Sequence, residues 1–205
     1  MVEISNVRVY DLKQSVIACR NAMRTEMPEY TEEEFEESLP RAINLAKAGG
    51  GSGHSNFRVG IRVAFDIKYP NYFSPELQRY HFLDIVTSSS KMHKLVKMNM
   101  DACFNKYVTK ESKEQMKYLV AEYNEAVTHK TRKDYQDHVY RAFMRVLSNC
   151  PLGVELFMRC TTNYEQLATI YRQRKNHVLR EDWMAFCKFI EGLPYAHELI
   201  IGDKE

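Results

Sequence analysis

The chain has 205 residues, 44% of them hydrophobic and 12% aromatic, which supplies enough apolar side chain for a sizeable core within one domain. Its 29 lysines and arginines nearly balance 27 aspartates and glutamates, and the net charge of +2 excludes a general nucleic-acid coat or a polybasic membrane contact, so any anion binding has to be local. Five scattered cysteines (Cys19, Cys103, Cys150, Cys160, Cys187) without a Cys-x-x-Cys pair support neither a disulfide framework nor a zinc site.

The N-terminus, Met1-Val2-Glu3-Ile4-Ser5, has no basic segment leading into an apolar run, and no window approaches the roughly 18 apolar residues of a membrane span. A soluble protein of the reducing cytoplasm is expected, without membrane or nucleic-acid partners. Val7 and Val9 alternate as in a short strand, and Asp11 is placed to cap a helix running through Val16, Ile17 and Met23. Thr31 precedes Glu32, Glu33 and Glu34, which combines an N-cap hydroxyl, a carboxylate at the capping-box position and negative charge at the positive end of a helix dipole. This helix is predicted to run to about Ala48 and to be stopped by Gly49, Gly50, Gly51 and Gly53.

From Phe57 the residues Phe57, Val59, Ile61, Val63, Phe65 and Ile67 recur with period two, predicting a strand. Arg79 and His81 follow Pro75 and are expected in the first turns of a helix. Thr87-Ser88-Ser89-Ser90-Lys91 and His93 form a polar run that interrupts an apolar helix pattern, and hydroxyls are poor helix-interior residues. Lys110 to Arg145 reads as helical with a break near Thr128 to Arg132. Val154, Leu156, Met158 and Cys160 alternate in a second strand, which leads through Thr161-Thr162-Asn163 into a helix carrying Leu167, Ile170 and Tyr171. Trp183, Tyr171 and the methionines sit at helical spacing and are expected in the core. With no repeat or linker, residues 1–205 are expected to form a single domain.

The glycine cluster lacks a following Gly-Lys-Ser/Thr and comes after a helix, so neither the P-loop nor the dinucleotide fingerprint applies. His54 beside it is open to two readings, a ring or anion contact and a turn residue bonded to its own loop. Arg79 offers a planar fork for phosphate and His81 a proton donor near neutral pH, whereas a solvated helix face is the plain alternative.

Read without a gap from His54 to Leu95, the segment resembles the flavin-dependent thymidylate synthases. That family's strand is introduced by Gly-His and followed by Arg-His-Arg, two residues, Ser, one, Asn-Glu, one, Ser, one, Arg-Tyr. In the same register this chain has Gly53-His54, Arg79-Tyr80-His81, Asp84, Val86-Thr87, Ser89 and Lys91-Met92. Ala22-Met23-Arg24-Thr25 is similar to the family's Ala-Arg-Val-Ser, and Val146-Leu147-Ser148 to its Val-Leu-Pro. Thr162-Asn163, Arg174 and Asn176-His177 follow in order.

The resemblance implies an α+β subunit, a mainly antiparallel sheet packed with helices, in a homotetramer with sites between subunits. It implies FAD with a dUMP-like pyrimidine nucleotide on the flavin, and transfer of a methylene from methylene-tetrahydrofolate to C5 with NADPH as reductant. His54, Asn56, Arg79, His81 and Asn163 would face the flavin. Ser89, Lys91 and Arg174 would face the nucleotide, Ser89 and Arg174 as the catalytic pair, with Arg145 one position out of register from the family's phosphate-binding arginine. The departures are the histidine replaced by Tyr80, an arginine by His81, Asn-Glu by Val86-Thr87, and Arg-Tyr by Lys91-Met92, which loses a bidentate fork. Two readings follow: a flavoenzyme modifying a pyrimidine nucleotide, and a non-catalytic nucleotide-binding or sequestering oligomer on the same fold. A structural interaction module with an empty pocket is the plain third.

Overall fold

A computed structural model describes residues 1–48 and 53–202. In chain order the elements are β1 (Glu3–Tyr10), α1 (Leu12–Ala18), α2 (Glu32–Lys47), α3 (Phe57–Gly60), β2 (Arg62–Pro70), α4 (Ser74–Gln78), β3 (Asp84–Ser88) and α5 (Lys91–Lys94). They continue with α6 (Lys110–Thr128), α7 (Tyr135–Ser148), β4 (Glu155–Asn163), α8 (Tyr164–Arg174), α9 (Arg180–Glu191) and a π-helical turn, His197–Ile201. The four strands form one antiparallel sheet in the order β1-β2-β4-β3, giving the expected α+β class.

The chain divides into two compact units, residues 1–67, 75–87 and 158–205 in the first and residues 68–74 and 88–157 in the second. In the first, Phe65 of β2 meets Phe186 of α9 edge-on at 5.9 Å, and Trp183, Tyr164, Phe35 and Ile17 are buried. In the second, Leu95, Met116, Leu119, Val146 and Val154 form a separate apolar core beneath the α6–α7 hairpin.

Local signals set several boundaries. The Thr31 hydroxyl accepts from the Glu34 amide at 3.2 Å and α2 starts at Glu32, as its cap and acidic first turn predict; the helix ends at Lys47, next to the expected Ala48. Of the glycines proposed as its stop, Gly49, Gly50 and Gly51 lie outside the described residues. The helix break falls at residues 129–134, between α6 and α7. Asp11 occupies the N-cap position of α1, but its carboxylate takes the Ser15 hydroxyl at 2.9 Å and caps no amide. That helix stops at Ala18, short of Met23, and a separate 3-10 turn spans Asn21–Met23.

Three expectations are corrected. The strand predicted from Phe57 begins at Arg62, because Phe57–Gly60 closes one helical turn. Gly60 lies so close to α1 that a Cβ there would stand 2.2 Å from the Ser15 hydroxyl oxygen, so only glycine permits this approach. Arg79 and His81 lie beyond the end of α4, not in its first turns, and the polar run after them begins on the last two residues of β3, a strand whose five residues are all exposed. Trp183 is buried as expected, whereas Met23 and Met27 are 73% and 87% exposed because the segment around that 3-10 turn lies at the surface.

All five cysteines are free thiols. Burial pushes Cys160 up from 9.0 to about 12, and Cys103 and Cys187 up to about 11. A raised folded-state value favours the neutral thiol, so this stability is fully present below about pH 9 and is lost as pH rises towards 11 to 12, where the unfolded chain ionises first. The unfolding free energy from urea titrations is expected to fall between pH 9 and 11 by about 1.4 kcal/mol per pH unit per thiol, and Cys160→Ala should remove one thiol's share. An identical slope in the variant would exclude Cys160 as a source.

Candidate functional site

In the first unit, a compact ionic and aromatic constellation is built from α4, the turn after it, the end of α8 and the start of α9. Helix α8 starts at Asn163, whose carboxamide oxygen accepts the Gln166 amide at 2.8 Å, and it ends at Arg174, where a cation suits the negative end of the helix dipole. The Arg174 Nη1 lies 3.0 Å from Oε2 of Glu76, and its Nε donates to the Tyr80 hydroxyl at 2.6 Å. That hydroxyl donates in turn to Oε1 of Gln173 at 3.1 Å. The guanidinium also lies 4.7 Å from the Trp183 ring centre, and Tyr80 meets Trp183 edge-on at 6.3 Å.

Glu76 has a second cation within reach, Arg79, with Nη1 at 4.0 Å from Oε1. Two guanidiniums on one carboxylate leave a local surplus of positive charge, and it sits on the exposed member: Arg79 is 70% exposed and Arg174 only 12%. Burial pushes the Tyr80 phenol up and the neighbouring Arg174 draws it down, with burial the larger effect. Tyr80 is therefore a neutral link through which Arg174 is held.

The turn bearing His81 is pinned by its backbone. The Phe82 amide donates to the Gln166 side chain at 3.3 Å, and the Thr162 hydroxyl donates to the Phe82 carbonyl at 2.8 Å. His81 and Phe82 remain exposed at its tip, edge-on at 5.1 Å. His54 and Asn56 are exposed in the turn leading into α3. Arg58, one turn further on, is buried, and its Nε donates to Glu165 of α8 at 2.7 Å.

Of the residues singled out from sequence, Arg79 and Arg174 meet through Glu76, and His81 follows in the same turn. Asn163 is only 2% exposed, and its oxygen is committed to starting α8. Ser89, Lys91 and Arg145 belong to the second unit. There the Ser89 hydroxyl accepts the Phe157 amide at 3.0 Å, Lys91 opens α5, and Arg145 pairs with Glu122 at 2.8 Å. Sequence reasoning missed Glu76, Gln173 and Gln166. Glu76, in the first turn after Pro75, carries no mark of its two partners.

Arg79 and His81 stand exposed in one turn, and a planar guanidinium there suits a phosphate. No family model matches the sequence, and no curated protein does. The fold is that of the flavin-dependent thymidylate synthases. The chain superposes on the flavin-dependent thymidylate synthase ThyX of Helicobacter pylori, solved with FAD and dUMP, with a TM-score of 0.65 and 14% identity over 96% of this chain and 98% of that one. A second structure of the Helicobacter pylori enzyme with FAD and dUMP gives 0.64 at 14% identity, covering 98% of each chain. A UMP/dUMP methylase, PolB of Streptomyces cacaoi, bound with 5-Br dUMP, gives 0.56 at 13% identity over 97% of this chain and 93% of that one.

Proposed function

We propose that this chain is a divergent flavoprotein that binds FAD and a dUMP-like pyrimidine nucleotide and modifies the base at C5, working as a homotetramer in the cytoplasm. The observation that carries this reading is the end-to-end match, 96% and 98% of the two chains, to an enzyme solved with FAD and dUMP. Arg79, His81, His54 and Asn56 are the cofactor-side residues, with Arg79 supplying the exposed cation for a phosphate. Asn163, the fifth residue assigned to the cofactor, acts by setting the start of α8. Arg174 offsets negative charge developing on the pyrimidine ring and is held for that task by Glu76 and Tyr80. Ser89 donates a hydrogen bond to the nucleotide, while Lys91 and Arg145 serve its phosphate. A bound FAD would supply the redox chemistry, with NADPH and methylene-tetrahydrofolate as co-substrates.

A second reading, nucleotide binding without catalysis, is favoured by one observation. The Arg174 fork is turned inward, on Glu76 and Tyr80 and against Trp183, and the family's Asn-Glu pair is Val86-Thr87 here. The visible spectrum of the purified protein, with FAD and then dUMP added, separates the two. A flavin band that shifts on dUMP addition and is insensitive to dUMP in Arg174→Ala is the expected result. Nucleotide binding with no flavin at excess FAD would establish the second reading, and binding of neither would overturn both.

A further inference from the structure

In the second unit a shallow cavity of about 500 Å³ opens between the α5 segment and the α6–α7 hairpin. This lies within the usual range for small-molecule sites. Tyr123, Tyr135, Tyr140 and Phe143 contribute four aromatic rings, and Val96 and Val139 complete the apolar wall. The floor is firm, because Val96 and Tyr123 pack against the buried core of this unit. Tyr123 and Phe143 meet edge-on at 6.1 Å, and the Tyr135 hydroxyl is spent on the Val127 carbonyl at 3.2 Å, so these residues offer ring surface.

The polar lining is one-sided. Lys97, His93 and Gln136 border the cavity, no acidic residue does, and neither Lys97 nor His93 has an ion-pair partner among the described residues. Four rings alone would also suit a quaternary ammonium group, but a lysine at the rim repels a cation. A second cavity of about 500 Å³, between α6 and α7, makes the contrast: its Arg145 is already paired with Glu122 at 2.8 Å.

We infer that this cavity binds a small molecule made of a planar aromatic ring with an anionic substituent, the ring against Tyr140 and Phe143 and the anion on Lys97. This site lies in a different part of the chain from the Arg79–Glu76–Arg174 constellation and does not depend on the flavin reading.

Calorimetric titration of the full chain with 2-naphthoate tests it. Binding is expected with a Kd of about 1 mM or tighter, and at least about tenfold weaker for the uncharged 2-naphthol, for cyclohexanecarboxylate and for phenyltrimethylammonium. Lys97→Gln and Tyr140→Ser, both at exposed positions, should each weaken 2-naphthoate about tenfold, whereas Lys94→Gln, outside the cavity, should leave it unchanged. No binding up to about 10 mM, equal affinity in Lys97→Gln, or preference for the ammonium probe would overturn the inference. So would failure to bind together with a smaller assembly in Lys97→Gln by light scattering, since that would make the cavity a contact with a second copy.

Discussion

Trp183→Ala is expected to destabilise the protein by about 3 to 5 kcal/mol, a fall in melting temperature on the order of 10 °C for a chain of this size. The indole is fully buried and meets Tyr80, His177 and Phe186 edge-on at 6.3, 6.0 and 5.6 Å, so truncation leaves a cavity among rings that cannot collapse freely. It also removes the surface against which the Arg174 guanidinium lies at 4.7 Å. Trp183→Phe restores a ring in that place and should recover more than half of the loss. Thermal unfolding followed by circular dichroism reads both variants. A cost below about 1 kcal/mol for the alanine variant would mean that the site relaxes around the gap.

Glu165→Ala should be nearly as damaging. Arg58 is 3% exposed, with Nε 2.7 Å and Nη2 2.5 Å from Glu165 Oε2, while Nη1 donates to the Leu199 carbonyl at 3.0 Å. Burial pushes the Arg58 guanidinium down from its ordinary range and Glu165 partly offsets this. The group stays charged, so removing Glu165 strands a buried cation. A fully buried pair broken in this way costs about 3 to 5 kcal/mol, and because the Glu165 side chain is 25% exposed we expect less, about 2 to 3 kcal/mol. The double variant Arg58→Met, Glu165→Leu removes both charges and should lie within about 1 kcal/mol of the parent. Urea unfolding of the two variants checks this, and a double variant as unstable as Glu165→Ala would show that the ion pair itself contributes net stability. Because Arg58 ties α3 to α8, Glu165→Ala should also loosen the turn that carries His54 and Asn56.

The elements legible in the sequence are those whose signals are local. Thr31 with three glutamates marks the start of α2 because cap and dipole act within one turn. The Leu156, Met158, Cys160 alternation marks β4 because a central strand buries one set of side chains. Phe57–Gly60 misleads because its apolar residues also alternate, yet Arg58 between them is buried in an ion pair and Gly60 is pressed against α1, which are long-range facts. Strand β3 is illegible for the opposite reason: with every side chain exposed, it carries no burial pattern and exists through backbone pairing with β4.

The candidate site divides along the same line. Arg79 is legible as a forked cation from its own chemistry, whereas Arg174 and the α+β class are legible only through the family likeness, carried by matching residues in chain order. The sequence by itself determined which charged and aromatic groups exist and which helices carry them. Only the tertiary structure decided that Glu76 stands between Arg79 and Arg174, that Tyr80 and Trp183 hold one guanidinium inward, and that Asn163 serves as a helix cap. Caps and periodicities are written within a few residues of chain, whereas an ion pair between α4 and α8 spans 98 positions, from Glu76 to Arg174, and forms only when packing brings both to one place.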